Sequence, residues 1–421
     1  MATIVKKFGG SSLTTDEQVM AAARAIVADH QQRTSVVVVV SARGKTTNQI
    51  RARIKGCGGD GTSERVLAFG GLAGERESAA CMAAAIESLG VQTFLADGAD
   101  IGLVATGEFG RGQAKTVRKP EIIIKALEEG KIVVLAGYTG VTTDGRTIDL
   151  GRSGTDTFAV VVAAAIGAKV CQIYTDVPGF FAVDPRHVPG AKLLHQITFR
   201  QALKWASAGI EVVKKESLAV ADGLGMPIQV LLSPSFDSQP WLERSLDVQA
   251  GTWISKGATL EDMQGGDLDQ TILAIITDLT IFNLTDVPNE PGWSAKIFGL
   301  CRDHKIVVLD IAQGLAPKGK KAAITFWVKA ETGDQTERIL KEASLGSIKI
   351  ERRDDIGCLR IIDPRMERES GWLARIDDTL AAAKVNIEIH PTAGDVILLL
   401  IAKDKVDAAA QAIAKEFGLC A

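Results

Sequence analysis

The sequence has no CxxC pair and no cysteine spacing that suits a metal. Its six cysteines, at 57, 81, 171, 301, 358 and 420, are scattered along the chain. That excludes a disulfide framework and a zinc module, predicts no metal-ligand set, and predicts reduced thiols in a cytoplasmic protein. There is no basic surplus either. The net charge is −3 over 421 residues, which leaves no electrostatic footprint for nucleic acid. Long apolar runs are missing: the longest, Phe158 to Ile166, is too short to cross a bilayer. No apolar signal segment precedes Lys6-Lys7, so neither a membrane partner nor secretion is expected.

What is present is a chain too long for one ordinary core, with 46% apolar residues and mixed charge. Two or more globular domains are expected. Ser35–Val40 is a continuous β-branched run, the mark of a strand buried on both faces of a parallel sheet. Residues 2–8, 92–96, 131–136, 169–175 and 227–232 read as further strands, the last closing the sheet. Apolar helical stripes alternate with them. Thr14-x-x-Glu17 is read as a capping box before one helix. Residues 62–89 read as a helix broken at Gly70-Gly71 and Gly74, and 199–208 and 210–224 as two more. This alternation predicts a doubly wound α/β domain over 1–232, with ligands beyond the carboxyl ends of its strands. Lys7, Ser41, Arg152 and Asp176 all fall at such ends.

Residues 151–186 concentrate the chemistry. A glycine-flanked turn, Gly151 to Gly154, leads into a small apolar helix with Thr155 read as N-cap and Asp156 in its first turn. Free amides at a helix start make an anion site, and carboxylates with an arginine (Asp156, Asp176, Arg186) nearby suit phosphate chemistry. Asp156 alone would be an ordinary first-turn residue. Gly44-Lys45-Thr46 resembles the end of a P-loop, but that motif needs glycine where Val39 stands.

Residues 233–269 read as a linker. An internal repeat at a spacing of 79 follows over 270–421: Gly292-Trp293, Ile297 and Lys305 recur as Gly371-Trp372, Ile376 and Lys384. Each unit reads strand, glycine turn, helix, strand, strand, helix.

Three motifs in order resemble those of the amino-acid kinase superfamily, and within it the aspartokinases: Lys7-Phe8-Gly9-Gly10-Ser11-Ser12, Gly151-Arg152-x-Gly154-x-Asp156-Thr157, and Tyr174-Thr175-Asp176-Val177 with Asp184-Pro185-Arg186. The resemblance implies an amino-acid-kinase-like, mainly parallel sheet between helix layers, followed by a pair of α+β ACT-like regulatory domains. It implies transfer of the γ-phosphoryl group of ATP to the side chain of L-aspartate, with Mg2+, as the first step of aspartate-family amino-acid biosynthesis. It places Lys7 and Asp156 at the transfer, Ser41, Glu75 and Arg152 on the amino acid, and Gly9, Gly10, Ser11, Thr175, Asp176, Phe181 and Arg186 on the nucleotide. Asn386 and Glu388 would serve an effector. A homodimer or higher homo-oligomer through the ACT-like domains is expected, each covering an exposed sheet face on a neighbour.

Several positions depart from the family. Ala73 replaces the threonine before Glu75. Glu211 stands where a phosphate-contacting lysine is usual, with Lys214 and Lys215 close by. Pro178 and Phe181 replace a carboxylate and a phenol. Val307 and Leu309 replace effector-binding polar residues. Two classes therefore fit the sequence: an active aspartate kinase or relative acting on a similar carboxylate, and a weakly catalytic paralogue serving as a regulatory subunit.

Overall fold

A computed structural model describes residues 2–59, 61–151, 154–236, 251–257, 270–314, 321–343 and 345–421. It divides into two compact units, one of Met1–Phe181 with Lys192–Leu268 and one of Ala182–Ala191 with Asp269–Ala421.

In the first unit the strands are β1 (Thr3–Phe8), β2 (Ser35–Val40), β3 (Thr93–Asp97), β4 (Leu103–Thr106), β5 (Gln113–Val117), β6 (Ile132–Ala136), β7 (Thr139–Val141), β8 (Thr147–Asp149), β9 (Val170–Thr175), β10 (Phe180–Phe181), β11 (Leu193–Leu194), β12 (Gln196–Thr198), β13 (Ile228–Leu232) and β14 (Thr252–Ser255). Its helices are α1 (Asp16–Gln31), α2 (Thr46–Gly58), α3 (Glu64–Ser88), α4 (Pro120–Glu128), α5 (Gly154–Ala165), α6 (Phe199–Ser207) and α7 (Lys215–Leu224). Eight strands form the central sheet, in the order β12-β14-β13-β9-β1-β2-β6-β3. All neighbours are parallel except β13 and β14.

The valine run explains the centre. Val36 to Val40 are all fully buried, which needs cover on both faces. Val36, Val38 and Val40 pack under α1 and α3, against Ile26 and Met82. α5 lies against β1 and β9, and α7 against α5.

The structure differs from the sequence reading at several points. The capping box is Thr15 with Gln18, one residue on: the Thr15 side chain accepts from the Gln18 amide, while the Thr14 hydroxyl donates to the Gly10 and Ser11 carbonyls. α3 runs unbroken. Its glycines are there for packing: a Cβ at Gly70 would lie 2.1 Å from the Ile54 side chain on α2. Thr155 lies inside α5, not at its cap. α7 begins only at Lys215, so Ile210 to Lys214 is loop. β13 does not close the sheet. β14, from the stretch read as linker, pairs with it and is followed by β12.

The second unit contains β15 (Ile272–Ile276), β16 (Leu279–Pro288), α8 (Trp293–Asp303), β17 (Val308–Gln313), β18 (Lys321–Lys329), α9 (Gly333–Glu342), β19 (Lys349–Arg353), β20 (Ile356–Ile362), α10 (Trp372–Ala382), β21 (Ile387–Ile389), β22 (Thr392–Ala393), β23 (Val396–Ala402) and α11 (Val406–Glu416). The repeat is real in the backbone. Gly292 and Gly371 cap α8 and α10 at φ +102° and +93°, and Lys305 and Lys384 sit at +58° and +55°. The two repeats are nested: β17-β18-β16-β19 is one sheet, and β15 pairs past it with β20 in the other. The inner faces of the sheets cover each other, Ile281 and Trp327 packing with Cys358, Leu398 and Leu400. The face expected to need a second chain is therefore already covered within this one.

Candidate functional site

β1 and β2 end side by side, Phe8 opposite Val40. The chain leaves each strand in a tight turn. The Gly44 amide donates to the Gly10 carbonyl at 2.9 Å, and a Cβ at Gly10 would sit 2.4 Å from the Ala42 carbonyl oxygen. Only glycine fits there. Beyond these ends opens a cavity of about 550 Å³, lined by residues of β1, α2, α3 and α5 and of the loops around Ser41, Gly110, Tyr138 and Gly151.

The structure brings Lys7, Gly10, Ser11, Ser41, Glu75 and Asp156 onto this one wall. The Lys7 ammonium is ion-paired with Asp156, and both side chains are nearly buried, at 10% and 13% exposure. Gly9 adjoins the pair: a Cβ there would lie 3.6 Å from Lys7 Nζ. Arg152 lies outside the described residues.

Glu75 is 4% exposed, held on α3 below the turn at Ala42. Thr47 donates to its Oε1 at 3.4 Å, while Oε2 has no hydrogen-bond partner. Burial pushes the carboxyl up to about 7, with the charge of Asp149 adding to the rise. A buried carboxylate with an open oxygen demands a cation or a donor.

The sequence reading missed four residues here. Thr47, Asn48 and Arg51 lie on the cavity wall. The i, i+3 and i, i+4 spacings among them, on a helix starting at Thr46, were the available signal. The fourth is Tyr138, which takes φ +72°, a backbone conformation costing a non-glycine residue about 1–3 kcal/mol. Its hydroxyl donates to Asp149 Oδ2 at 3.0 Å. Asp149, almost fully buried, also accepts the Gly110 amide at 2.6 Å on Oδ1. Burial and the Asp149 and Glu75 charges hold the Tyr138 phenol well above its ordinary range. The pair thereby fastens the glycine-rich loop between β4 and β5 to the cavity rim.

The remaining nucleotide candidates are not on this wall. Thr175 ends β9 and Asp176 follows it, with Thr175 Oγ1 donating to Asp176 at 2.9 Å. Phe181 is buried in the β10–β11 hairpin. Arg186 belongs to the second unit, where it forms a forked pair with Asp184 at 2.6–3.1 Å. Asn386 and Glu388 are exposed, just before and within β21 at the edge of the sheet that contains β20, and Arg353 reaches Glu388 at 3.4 Å.

Among the described residues no cluster of His, Cys, Asp and Glu could hold a metal. Two of the cavity carboxylates are committed, Asp156 to Lys7 and Glu64 to Arg51 at 2.7 Å, which leaves Glu75 as a single open carboxylate. This set fits a divalent cation carried in by phosphates and not one caged by protein. No described helix is long and apolar enough to cross a membrane.

Residues 2–231 match the amino acid kinase family. The chain is 33% identical to an aspartokinase of Mycolicibacterium smegmatis over 423 residues, covering 100% of this chain and 97% of the relative. It is 32% identical to one of Corynebacterium glutamicum over 426 residues, with the same coverage. A crystal structure of aspartate kinase from Synechocystis is 28% identical with a TM-score of 0.52, covering 99% of this chain and 69% of that one. The fold is also that of E. coli aspartokinase III in complex with lysine and aspartate, at 21% identity and a TM-score of 0.75, covering 98% and 99%.

Proposed function

The chain belongs to the amino acid kinase family and, within it, to the aspartokinases, and from that premise we propose how its cavity works as an aspartate kinase. The enzyme moves the γ-phosphoryl group of ATP to the side-chain carboxylate of L-aspartate. A carboxylate oxygen forms the new P–O bond. The bond to the bridging oxygen breaks, and ADP leaves with its electron pair. The nucleophile is already ionised at neutral pH, so the protein need only position and stabilise charge.

Lys7 supplies the charge. Its ammonium sits at the strand end beside Gly9 and Gly10, where it meets the oxygens of the group in transit. Asp156 is a positioning residue: it holds that ammonium in place. The main-chain donors of Gly10 and Ser11 and the Ser41 hydroxyl bind phosphate or substrate oxygens. Glu75 takes the α-ammonium group on its open Oε2, and Arg152 clamps the α-carboxylate. Thr175, Asp176 and Phe181 serve the nucleotide. Mg2+, when bound with ATP, neutralises phosphate charge.

The observation that carries this reading is the pairing on one wall of a buried, half-satisfied Glu75 with the Lys7–Asp156 ion pair. One group calls for an ammonium, the other is built for an oxyanion. A regulatory role without catalysis is not favoured. The test is ADP release with Mg2+ and L-aspartate, with the acyl phosphate trapped by hydroxylamine. ADP release indifferent to aspartate would refute the reading.

The product enters aspartate-family amino-acid biosynthesis. ATP as substrate and six free cysteines support a cytoplasmic enzyme. Homo-oligomerisation runs through the second unit. There the edge strand β17 and the exposed Val307 and Ile311, at 70% and 46%, offer an apolar pairing surface. Asn386 and Glu388 face an effector.

A further inference from the structure

Three described cations line the cavity: Lys7, Arg51 and Lys214. Their partners differ. Lys7 is locked to Asp156 with both side chains nearly buried. Arg51 is bonded to Glu64 at 2.7 Å. The Lys214 ammonium is held by Glu211 in an open pair, the two side chains being 45% and 38% exposed. Exposed pairs are weak, because water screens the attraction and two long side chains must be ordered. Of the three, Lys214 changes partner most readily.

Its position is nevertheless fixed. Lys214 is the N-cap of α7. One turn on, the fully buried Ser217 shares a 2.9 Å hydrogen bond with Thr157 of α5. The first turn of α5 carries Thr155 and Asp156 on the cavity wall. The buried hydroxyl pair thus keeps the base of Lys214 in register with Asp156, and through it with Lys7.

We infer that Lys214 is the cation that meets the terminal phosphates of the nucleotide, and that Glu211 holds its ammonium until they arrive. This rests on the kinase reading above. A phosphate chain brings more negative charge than one carboxylate and outcompetes Glu211. Lysine is well matched to such a contact, since a point charge on a flexible stem follows a phosphoryl group as it moves, where an arginine fork would fix one geometry.

The test uses the full chain with Lys214→Ala, Glu211→Gln and the double variant Glu211→Lys/Lys214→Ala. Calorimetry measures ATP binding without aspartate, and steady-state rates give KM for each substrate. Losing one charge-assisted contact weakens ATP about tenfold in both Kd and KM, with KM for aspartate within about twofold of the parent. Glu211→Gln removes the competitor and tightens ATP. The double variant, which moves the cation three residues back, recovers part of the loss. Lys214→Ala binding ATP as the parent does, or losing affinity for aspartate instead, overturns the inference. If Lys214→Ala fails to fold, Glu211→Gln decides: tighter ATP supports the exchange, unchanged ATP refutes it. Lys214-dependent ATP binding without aspartate-dependent ADP release would sink the kinase reading and leave this inference standing.

Discussion

Replacing Glu75 by glutamine separates stability from function. The carboxyl has an ordinary value of 4.5 and is raised to about 7, chiefly by burial. Its folded-state value therefore exceeds its unfolded one. The protein gains nothing and loses nothing from this group below pH 4.5, where both states are protonated. As pH rises from 4.5 to 7 the unfolded chain ionises first, and stability falls. Above 7 the loss is complete and comes to about 3 kcal/mol. Glutamine has the same shape and no charge. The variant should match the parent in urea unfolding near pH 4.5 and exceed it by up to about 3 kcal/mol at pH 8. Turnover should fall at every pH, since an amide oxygen accepts from an ammonium but brings no charge to neutralise it. In the parent, the KM for aspartate should be about tenfold higher at pH 6 than at pH 8, following the ionised fraction. Parallel unfolding of the two proteins from pH 4.5 to 8 would show that the buried carboxyl is not perturbed, and the argument for an ammonium site would go with it.

Asp149→Asn removes a charge that pushes Glu75 upward, so the acid limb of the aspartate KM profile should move to lower pH; an unmoved limb would deny the coupling. Lys7→Ala should cost turnover about a hundredfold or more with the fold intact, checked by kcat beside circular dichroism. Gly70→Leu should destabilise by about 1–3 kcal/mol, because the side chain enters space filled by Ile54, measured by thermal unfolding. Lysine or threonine should inhibit weakly through the first repeat, where the Val307 and Leu309 side chains offer no hydrogen bonds; strong inhibition that survives Asn386→Ala would show the effector assignment to be misplaced.

The parts of this structure legible in the sequence were those set by local pattern. The valine run of β2 could only be a doubly covered strand, and Gly9-Gly10 and Ser41 marked the strand ends where the cavity lies. The 79-residue repeat was visible and is matched even in its left-handed lysines. What escaped depended on packing at a distance. The glycines of α3 read as breaks because their reason, the closeness of α2, is not in their own segment. β14 was hidden in polar sequence because its strand character comes from β13 and β12. The Tyr138–Asp149 latch escaped because a strained tyrosine backbone has no sequence signature, and a carboxylate in a short strand reads as a surface residue until its burial is known.

The excursion Ala182–Ala191 has a consequence for how the chain matures. Its two ends continue strands β10 and β11 of the first unit, yet its partners are Leu273, through the Ala182 carbonyl, and Asp407, at 2.6 Å from His187 Nδ1. A ribosome finishes these ten residues long before it makes the residues they bind. During synthesis the kinase unit therefore carries this loop, with Arg186 on it, before Leu273 and Asp407 exist to hold it, and those contacts form only when α11 has emerged and folded. Cutting the gene at the apparent boundary near residue 268 would leave the same loop orphaned for good.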